Sequence, residues 1–472
     1  MFRVFENLID PYQDYTADQA PPRALGAFLW SYLRPLRGVF VWAAVSSLIV
    51  AAIEIALIAY LGRLVAIMEG ADRTVFWGTY GPELIMVTVA ILLLRPVLQG
   101  VDTLLMNQTL MPNVGTLARY RAHAHVLRQS VGWFENDFAG RIANRIMQTP
   151  PAMGEVVFQV FDALTFSLAY LIGALIMLAE ADGRLTIPLI LWSAFFLALV
   201  VWTVRRIGPA SEASSDARSA VTGRVVDSYT NIHSVKLFAH HDGELHYAVD
   251  AIEHARKTFQ REMRLYTIMD LGLVTLNGAL VVGVVGWALY LWVMADASLG
   301  IVAAAAALVL RLNGMAGWIM WATTSFFREL GVVAEGMRTI ADPIDLQDAP
   351  NAKALQYHAG DIALQNVTHH YGRKTGGLND ISLHIPAGQK IGIVGRSGAG
   401  KSTLIKMILR FHDPEQGQVL IDGQDVKQVT QSSLRRQLGV VQQDSSLLHR
   451  SIRDNIMFGR PDADDDQMIA AA

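Results

Sequence analysis

Six long apolar stretches constrain the fold of this chain more than any other feature of its sequence. Each is long enough to cross the hydrocarbon core of a bilayer, which takes about 20 helical residues. The 472-residue chain is 52% hydrophobic and only 17% charged, a composition typical of a membrane protein. The sequence therefore predicts a helical bundle of six spans, at residues 38–66, 81–106, 156–179, 185–206, 268–294 and 299–324.

The connections between the spans indicate which side of the membrane each one faces. Residues 107–155 and 207–267 are long, helical in period and rich in Arg and Lys, whereas residues 181–184 and the turn near Asp296 are short. Because positive charge marks the cytoplasmic side, the long connections and both termini are predicted to be cytoplasmic. We expect the spans to continue as long cytoplasmic helical extensions, and residues 25–36 to form an amphipathic helix at the inner surface.

Charge and cysteine content exclude several classes of function. The net charge of −3 comes without a basic patch, so no nucleic-acid partner is predicted. The absence of cysteine excludes disulfides and thiolate metal sites. The first residues lack the basic and apolar segments of a signal peptide, and we therefore keep the first apolar stretch as a span.

A phosphate-binding motif follows the last span. The pattern G-x-x-x-x-G-K-[ST] is matched at every defined position. The residues of this loop are Gly395, Arg396, Ser397, Gly398, Ala399, Gly400, Lys401 and Ser402. The pattern predicts that this part of the chain binds a nucleoside triphosphate.

The residue types of the loop suit a triphosphate for physical reasons. Backbone N–H groups must point at phosphate oxygens, so Gly395, Gly398 and Gly400 are predicted to make turns that only glycine adopts cheaply. Lys401 supplies a cation for the phosphates, and the Ser402 hydroxyl is a candidate ligand for Mg²⁺.

The sequence on either side of the loop supports this interpretation. Residues 391–394 are predicted to form a buried strand before the loop, and Thr403 to start a helix over residues 403–409. That helix would direct its N-terminus at the anion. Residues 362–368 predict a half-buried strand whose alternation slips at Asn366.

Three ionisable residues lie inside predicted spans, where charge is costly. Glu54, Arg95 and Arg311 are predicted at a similar depth near the middle of the membrane. They are candidates for a polar belt in a translocation path that favours an amphiphilic or anionic substrate. The alternative is that Glu54 pairs with an arginine and holds the bundle together. Pro96, next to Arg95, is expected to kink its helix.

Six spans, two long cytoplasmic helical loops and a phosphate-loop domain on one chain resemble half of an ATP-binding cassette exporter. The resemblance is most specific in residues 410–417, 421–423 and 440–444, although Gln442 stands where a proline is common. Tyr371 lies where the family stacks an aromatic ring on adenine. Gln443 lies where the family glutamine reaches Mg²⁺ and the attacking water. Residues 133–135 with 140–141 resemble the first coupling loop, and residues 227–238 the second.

The resemblance implies ATP-driven export of a small amphiphilic substrate by alternating access in a dimer. The partner would be a second half-transporter, identical or different, and the cofactors ATP and Mg²⁺. Lys401 and Gln443 would be catalytic, and Ser402 and Gln443 metal ligands. The nucleotide contacts would come from Tyr371, the phosphate loop and Thr403. The protein would lie in a bacterial cytoplasmic membrane with its nucleotide domain in the cytoplasm.

On this basis the chain divides into four parts. They are residues 1–37, a cytoplasmic N-terminus with an interfacial helix; residues 38–340, the six-span domain with coupling loops near 130–150 and 225–245; residues 341–360, a linker; and residues 361–472, the first part of an α/β nucleotide-binding domain. No family signature, catalytic glutamate or switch histidine follows Asp462. We therefore expect the rest of that domain to be missing here, and this chain to hydrolyse almost no ATP.

The same sequence features are compatible with two alternatives to an exporter. A nucleotide-gated channel or regulatory half would bind ATP without pumping, and an importer would carry substrate inward. The acidic run Asp464, Asp465 and Asp466 is predicted to be a solvated face and no metal site. His369 and His370 are predicted to be surface residues of a strand.

Overall fold

The structure is a computed structural model that describes residues 2–12, 20–136, 139–238, 241–294, 296–441 and 447–472. The chain forms two compact units. The helical unit contains Met1–Arg128 and Asp137–Pro343, and the sheet unit contains Gln129–Asn136 and Ile344–Ala472. Eight residues from the membrane half of the sequence therefore belong to the sheet unit.

The first 340 residues form thirteen α-helices among the described residues. All of them belong to the helical unit except the short helix α7, which belongs to the sheet unit. In chain order the helices are α1 (Phe2–Glu6), α2 (Leu25–Leu33), α3 (Arg37–Gly70), α4 (Phe76–Val89), α5 (Arg95–Leu104), α6 (Met111–Val126), α7 (Val131–Glu135), α8 (Ala139–Phe158), α9 (Phe166–Ala181), α10 (Thr186–Thr230), α11 (Ile232–Leu237), α12 (His241–Val293) and α13 (Leu299–Ile340). Short 3-10 turns occur at Arg34–Leu36 and Gly183–Leu185.

The six predicted spans are confirmed. Within the described residues, six helical runs are long and apolar enough to cross a membrane: Leu25–Gly70, Phe76–Val126, Ile142–Ala181, Gly183–Thr230, Asp242–Val293 and Leu299–Ile340. Each predicted span lies inside one of these six helical runs, apart from residue 294, which lies one residue beyond the fifth run. At about 1.5 Å per residue, the 53 residues of α12 extend about 80 Å, far more than the roughly 30 Å core of a bilayer. The helices therefore continue beyond the membrane, as the sequence predicted.

Three π-helical turns interrupt the second and third spans. They are Ala90–Leu94 before α5, Leu105–Leu110 after α5, and Gln159–Thr165 between α8 and α9. The first directly precedes Arg95 and Pro96, which begin α5. A widened turn accommodates the missing N–H of proline, and such turns occur often at functional sites. The kink predicted at Pro96 thus coincides with a local change of helix type.

Small residues allow close helix packing inside the bundle. A Cβ on Gly62 would lie 2.6 Å from the Cβ of Ala304, so α3 and α13 approach one another where only glycine fits. On another pair of helices, Nε1 of Trp192 donates to Oδ1 of Asn277 over 3.2 Å in a buried hydrogen bond between α10 and α12. Apolar burial around such contacts forms the core of this unit.

An antiparallel sheet organises the second unit. Its strands are β1 (Ile362–His369), β2 (Leu378–Ile385), β3 (Gln416–Ile421) and β4 (Gln424–Asp425), in the order β2-β1-β3-β4. Its further helices are α14 (Lys401–Ile408), α15 (Gln431–Arg436), α16 (Ile452–Ile456) and α17 (Asp465–Ala471), with a 3-10 turn at Met457–Gly459. The strand predicted at 362–368 is confirmed. The predicted break in its apolar and polar alternation at Asn366 corresponds to a bulge, since that residue has a φ of 49° and the pairing register shifts there.

The buried strand predicted at residues 391–394 is wrong for this structure. The segment has no strand pairing, and Val394 is 93% exposed. A strand that is apolar on both faces needs neighbours on its edges and a covering layer on each face. Among the described residues, the four strands of the sheet are paired with one another and none pairs with this segment.

A buried arginine, together with Gln431, holds the stretch after α13 in the sheet unit. Arg410 is 2% exposed, and its guanidinium donates to the carbonyl oxygens of Gln347 and Val429, each over 3.0 Å. It also forms ion pairs with Asp413 at 3.0 Å and Asp348 at 3.5 Å. A buried guanidinium needs such partners because an unpaired charge is costly away from water. Residues of the predicted linker are therefore part of the packed unit.

Arg410→Ala is expected to release this stretch. The substitution removes the guanidinium from the carbonyl groups of Gln347 and Val429 and from Asp348, which keeps the donors of Gln431, at a cost of about 3 kcal/mol. Hydrogen exchange of residues 344–350, followed by mass spectrometry, should become much faster. Arg436→Ala, on the exposed side of α15, is the matched control and should leave this exchange unchanged. Equal protection in both variants would show that Arg410 does not hold the segment.

Candidate functional site

The predicted phosphate loop leads directly into α14 and depends on two glycines. Gly398 and Gly400 have φ values of 81° and 86°, in the left-handed region that favours glycine. A Cβ on Gly400 would lie 2.5 Å from the carbonyl oxygen of Gly377. Gly395 has an ordinary backbone conformation, so the prediction that it makes a glycine-specific turn is wrong. Its neighbours Arg396, Ser397 and Ala399 form the exposed turn between the glycines.

Lys401 reaches back across this loop. Its Nζ donates to the carbonyl oxygens of Gly395 and Arg396 over 2.8 and 2.9 Å. The positive charge therefore lies over the same backbone turn that the sequence assigns to phosphate. Ser402 follows in the first turn of α14, whereas Thr403 is 8% exposed and faces the interior of the unit.

The start of α14 fits a triphosphate and its metal ion. The first N–H groups of a helix have no intrahelical acceptor, and the first turn of α14 contains no acidic side chain. With Lys401 beside it, this turn offers donors and positive charge to an anion. The Ser402 hydroxyl is the kind of ligand that Mg²⁺ takes together with phosphate oxygens. Gln443, the other predicted metal ligand, lies outside the described residues.

Tyr371 is held in place next to this turn. Its hydroxyl donates to Oγ1 of Thr403 over 3.2 Å, and its ring centroid lies 4.6 Å from that of His369 and 5.1 Å from that of His412. Both ring contacts are edge to face. The side chain remains 39% exposed, which leaves surface for an adenine. Stacking on adenine stays a prediction.

His369 is buried beside the half-buried His412, which corrects the prediction that His369 lies on the surface. His369 is 7% exposed, and the two ring centroids are 5.3 Å apart. Among the described residues, no hydrogen-bond partner reaches Nε2 of either ring. Burial lowers the pKa of both histidines. Both rings are therefore neutral at physiological pH. The sequence missed this pair because the two residues are far apart along the chain.

The short helix α7 packs against the same cluster. Ser130 caps it by accepting from the N–H of Trp133 over 3.1 Å, and donates to Asp345 over 2.9 Å. Gly132 faces His412, where an added Cβ would lie 2.5 Å from Cε1 of the ring. The carboxylate of Glu135 accepts from Nζ of Lys406 on α14 over 2.7 and 2.8 Å. One helix therefore contacts both the phosphate loop and α7.

The comparisons with known proteins agree with this architecture. Residues 40–314 match the family model described as the ABC transporter transmembrane region, and residues 378–472 match the one described as ABC transporter. An uncharacterized ABC transporter ATP-binding protein of Haemophilus influenzae is 34% identical over 100% of this chain and 76% of its own length. This chain belongs to the ABC transporter family.

Two further relatives of this ABC transporter are exporters. An ATM1-type heavy metal exporter of Novosphingobium aromaticivorans is 33% identical over 60% of this chain and 49% of its own length. The structure of a bacterial Atm1-family ABC exporter with ATP bound has a TM-score of 0.77 at 23% identity, and covers 92% of this chain and 76% of that one. The transporter thus has the exporter fold. It is a multi-pass membrane protein with a cytoplasmic ATP-binding domain.

The transporter brings its three predicted intramembrane charges together. Glu54 on α3 pairs with Arg95 on α5 and, over 3.3 Å, with Arg311 on α13. All three line a cavity of about 280 Å³ in the helical unit. The Glu54 side chain is 13% exposed, whereas those of Arg95 and Arg311 are 43% and 49% exposed. Both guanidiniums therefore remain accessible although each has a carboxylate partner.

Other predicted features have simple structural accounts. Asp464 accepts from the N–H of Gln467 over 2.8 Å and caps α17, and Asp465 pairs with Arg453. In the described part of the chain, no group of three or more His, Asp or Glu side chains is arranged to hold a metal ion. In the predicted second coupling loop, α11 is exposed and Leu237 and Phe238 are 78% and 67% exposed.

Gly132→Ala is expected to loosen α7, because the new methyl group would overlap the His412 ring. Overpacking of this kind costs about 1 to 3 kcal/mol. Hydrogen exchange of residues 130–136 should accelerate, and the added substitution His412→Ala should restore protection by making room. Gly439→Ala, where the Cβ meets open space, is the control and should have no effect. If the double variant exchanges as fast as Gly132→Ala, the ring contact is not the cause.

The same segment is expected to loosen in acid. Because burial holds the pKa of His369 and His412 below the ordinary value of about 6.5, their neutral forms stabilise the fold above that pH. This contribution is lost as the pH falls below about 6.5 toward the lowered values. Exchange of α7, corrected for its intrinsic pH dependence, should rise between about pH 7.5 and 5.5.

His412→Gln should remove part of this pH response, since the substituted side chain does not titrate. His358→Gln, which changes an exposed histidine, should retain the full response. If exchange of α7 depends on pH equally in His412→Gln and His358→Gln, the titration of His412 is not the cause of the loosening in acid.

Proposed function

We propose that this transporter couples ATP hydrolysis to the export of a small amphiphilic substrate by alternating access in a dimer. The relatives that share its fold include proteins named as exporters, which supports the outward direction. ABC half-transporters generally dimerise, and the partner here would be a second half-transporter. Whether the two halves are identical is open in this proposal.

The observation that carries the proposal is the double contact of α14. At its first turn this helix carries Lys401, Ser402 and Thr403, and about one turn later Lys406 pairs with Glu135 of α7. The segment Gln129–Asn136 connects α6 to α8, which belong to the second and third spans. Nucleotide binding at one end of α14 would therefore bear directly on a segment that is covalently joined to two spans.

The chemistry expected of the site is positioning and charge stabilisation, which is most of what phosphoryl transfer requires. The N-terminus of α14 and Lys401 would hold the β- and γ-phosphates, and Tyr371 the adenine. Ser402 and Gln443 would hold Mg²⁺, which would neutralise charge on the phosphate oxygens. Gln443 would also orient the attacking water.

An exposed apolar tip on the helical unit supports the dimer. Leu237 and Phe238 end α11, a short helix between α10 and α12 in which no described residue is buried. Large apolar side chains on a cytoplasmic tip favour burial against another surface. In this proposal the partner half-transporter supplies that surface. Closing and opening of the dimer would then be a population shift driven by nucleotide.

Lys401→Ala is expected to abolish ATP-driven export. The protein produced from its complete gene would be reconstituted in lipid nanodiscs, and ATPase activity measured beside ATP binding. Loss of the phosphate-binding cation should lower the ATPase rate by about a hundredfold or more. Lys390→Ala is the matched control, since that exposed lysine lies outside the loop, and it should retain the activity of the unaltered protein.

Three other outcomes would change the proposal. ATP binding without hydrolysis by the unaltered protein would favour the nucleotide-gated channel or regulatory half. Hydrolysis with ATP-dependent uptake toward the side of the nucleotide domain would favour an importer. Equal ATPase rates for Lys401→Ala and Lys390→Ala would show that the phosphate loop does not carry the reaction.

A further inference from the structure

The cavity in the helical unit carries charges of both signs. Its charged lining consists of Glu54, Arg95 and Arg311 together with two carboxylates that the sequence analysis did not single out, Asp102 and Asp162. Between the charges, the walls are apolar and aromatic, formed by Val50, Phe166, Met315 and Trp318. Ionisable groups inside spans are costly, and together they mark a functional site by default.

The charges are segregated into two ends of the cavity. At the basic end, Glu54 is shared between Arg95 and Arg311, which leaves one net positive charge. At the acidic end, Asp102 accepts a hydrogen bond from Ser46 and lies 3.5 Å from the hydroxyl oxygen of Ser47. Ser47 donates to the carbonyl oxygen of Phe161 over 3.0 Å, which places the neighbouring Asp162 at this end.

Helix geometry fixes the separation of the two ends. Ser47 and Glu54 are seven residues apart on α3, and Arg95 and Asp102 are seven residues apart on α5. The contacts Ser47 to Asp102 and Glu54 to Arg95 show that the two helices run side by side in opposite directions over this length. Seven residues of α-helix span about 10 Å. The basic and acidic ends are therefore about 10 Å apart along the bundle.

Structural pairing accounts for the basic end but leaves part of the acidic end unexplained. Glu54 and its arginines link three helices, as expected of groups that hold a bundle together. Asp162 is half-buried, and in the described part of the chain no side chain or backbone group forms a hydrogen bond or ion pair with it. A carboxylate without a partner that lines a cavity inside a span is available to a cationic group.

The backbone around the cavity is also irregular in a way that suits a binding site. Asp162 lies within the π-helical turn Gln159–Thr165, and α5 carries Arg95 and Asp102 between the other two π-helical turns. Each π turn shifts the side chains that follow it around the helix axis. Such turns occur often at functional sites, and here the turn Gln159–Thr165 contributes Asp162 to the lining of the cavity.

We propose that this cavity binds a small amphiphilic zwitterion whose anionic and cationic groups lie about 10 Å apart. The anionic group contacts Arg95 and Arg311, and the cationic group contacts Asp162 and Asp102. The chain between them packs against the apolar and aromatic walls. That the bound zwitterion is the exported substrate rests on the proposed function, whereas binding itself does not.

The test uses a linear probe of matching length. In ω-aminooctanoate the amine and the carboxylate are about 10 Å apart when the chain is extended, as the two ends of the cavity are. Binding to the transporter in nanodiscs would be measured by isothermal titration calorimetry without nucleotide, with empty nanodiscs as the blank. Octanoate, octylamine and ω-aminobutanoate are matched probes that lack the amine, the carboxylate or the length. Each should bind at least about tenfold more weakly than ω-aminooctanoate.

Two substitutions assign the ends. Asp162→Asn should weaken ω-aminooctanoate and octylamine about tenfold and leave octanoate unchanged. Arg311→Gln should weaken ω-aminooctanoate and octanoate and leave octylamine unchanged. Asp270→Asn, an exposed carboxylate in a span that does not line the cavity, is the control. Because Asp162 has no partner to lose, its substitution tests the site even if Arg311→Gln destabilises the bundle.

The outcomes separate this proposal from the proposed function. Binding that is no tighter for ω-aminooctanoate than for its matched probes, or that is indifferent to Asp162→Asn, would overturn the zwitterion site. The proposed ATP-driven export would then still be tested separately by the Lys401→Ala experiment. Selective binding without ATPase activity would support the site and count against active export.

Discussion

The attachment of α7 to the sheet unit is the contact on which the organisation of this transporter depends. Chain continuity places α7 between α6 and α8, yet its side chains belong to the unit that carries the phosphate loop. Three different interactions hold it: the Ser130 cap with its bond to Asp345, the fit of Gly132 against His412, and the ion pair of Glu135 with Lys406. The glycine is required by shape alone, since any side chain would displace the ring. The sheet unit, which carries the predicted phosphate loop, thereby includes a segment whose chain continues into two spans.

The bundle itself follows from a different constraint. Within lipid, each backbone polar group must be satisfied inside its own helix, so the spans are helical regardless of sequence detail. Charges in such helices must then be paired or exposed to water. Glu54 satisfies this rule with two arginines, and Asp102 accepts a hydrogen bond from Ser46. Asp162 has no partner among the described residues, and it lies where the helix departs from α geometry.

Much of the fold and part of the site could be predicted from the sequence, because the relevant signals are local. Apolar length predicts the six spans, and a contiguous motif predicts the phosphate loop with its helix. Pairing between distant residues carries no such signal. The prediction of a strand at residues 391–394 was wrong, because a strand needs neighbouring strands and its own residues do not specify them. His369 was placed on the surface because its cover, His412, lies 43 positions away. Glu54, Arg95 and Arg311 could be grouped by depth alone, but their acidic counterparts could not.

Two of the π-helical turns lie along the chain between α7 and the acidic end of the cavity. On the N-terminal side of α7, the chain runs back through α6 and the turn Leu105–Leu110 to Asp102. On its C-terminal side, the chain runs through α8 into the turn Gln159–Thr165, which contains Asp162. Both helices that depart from α7 therefore reach the acidic end of the cavity, and each meets it at a widened turn. A π turn can exchange for an α turn by shifting one residue, which rotates the side chains beyond it while its hydrogen bonds are largely kept. Of the two carboxylates, Asp102 precedes one of these turns by three residues and Asp162 lies within the other.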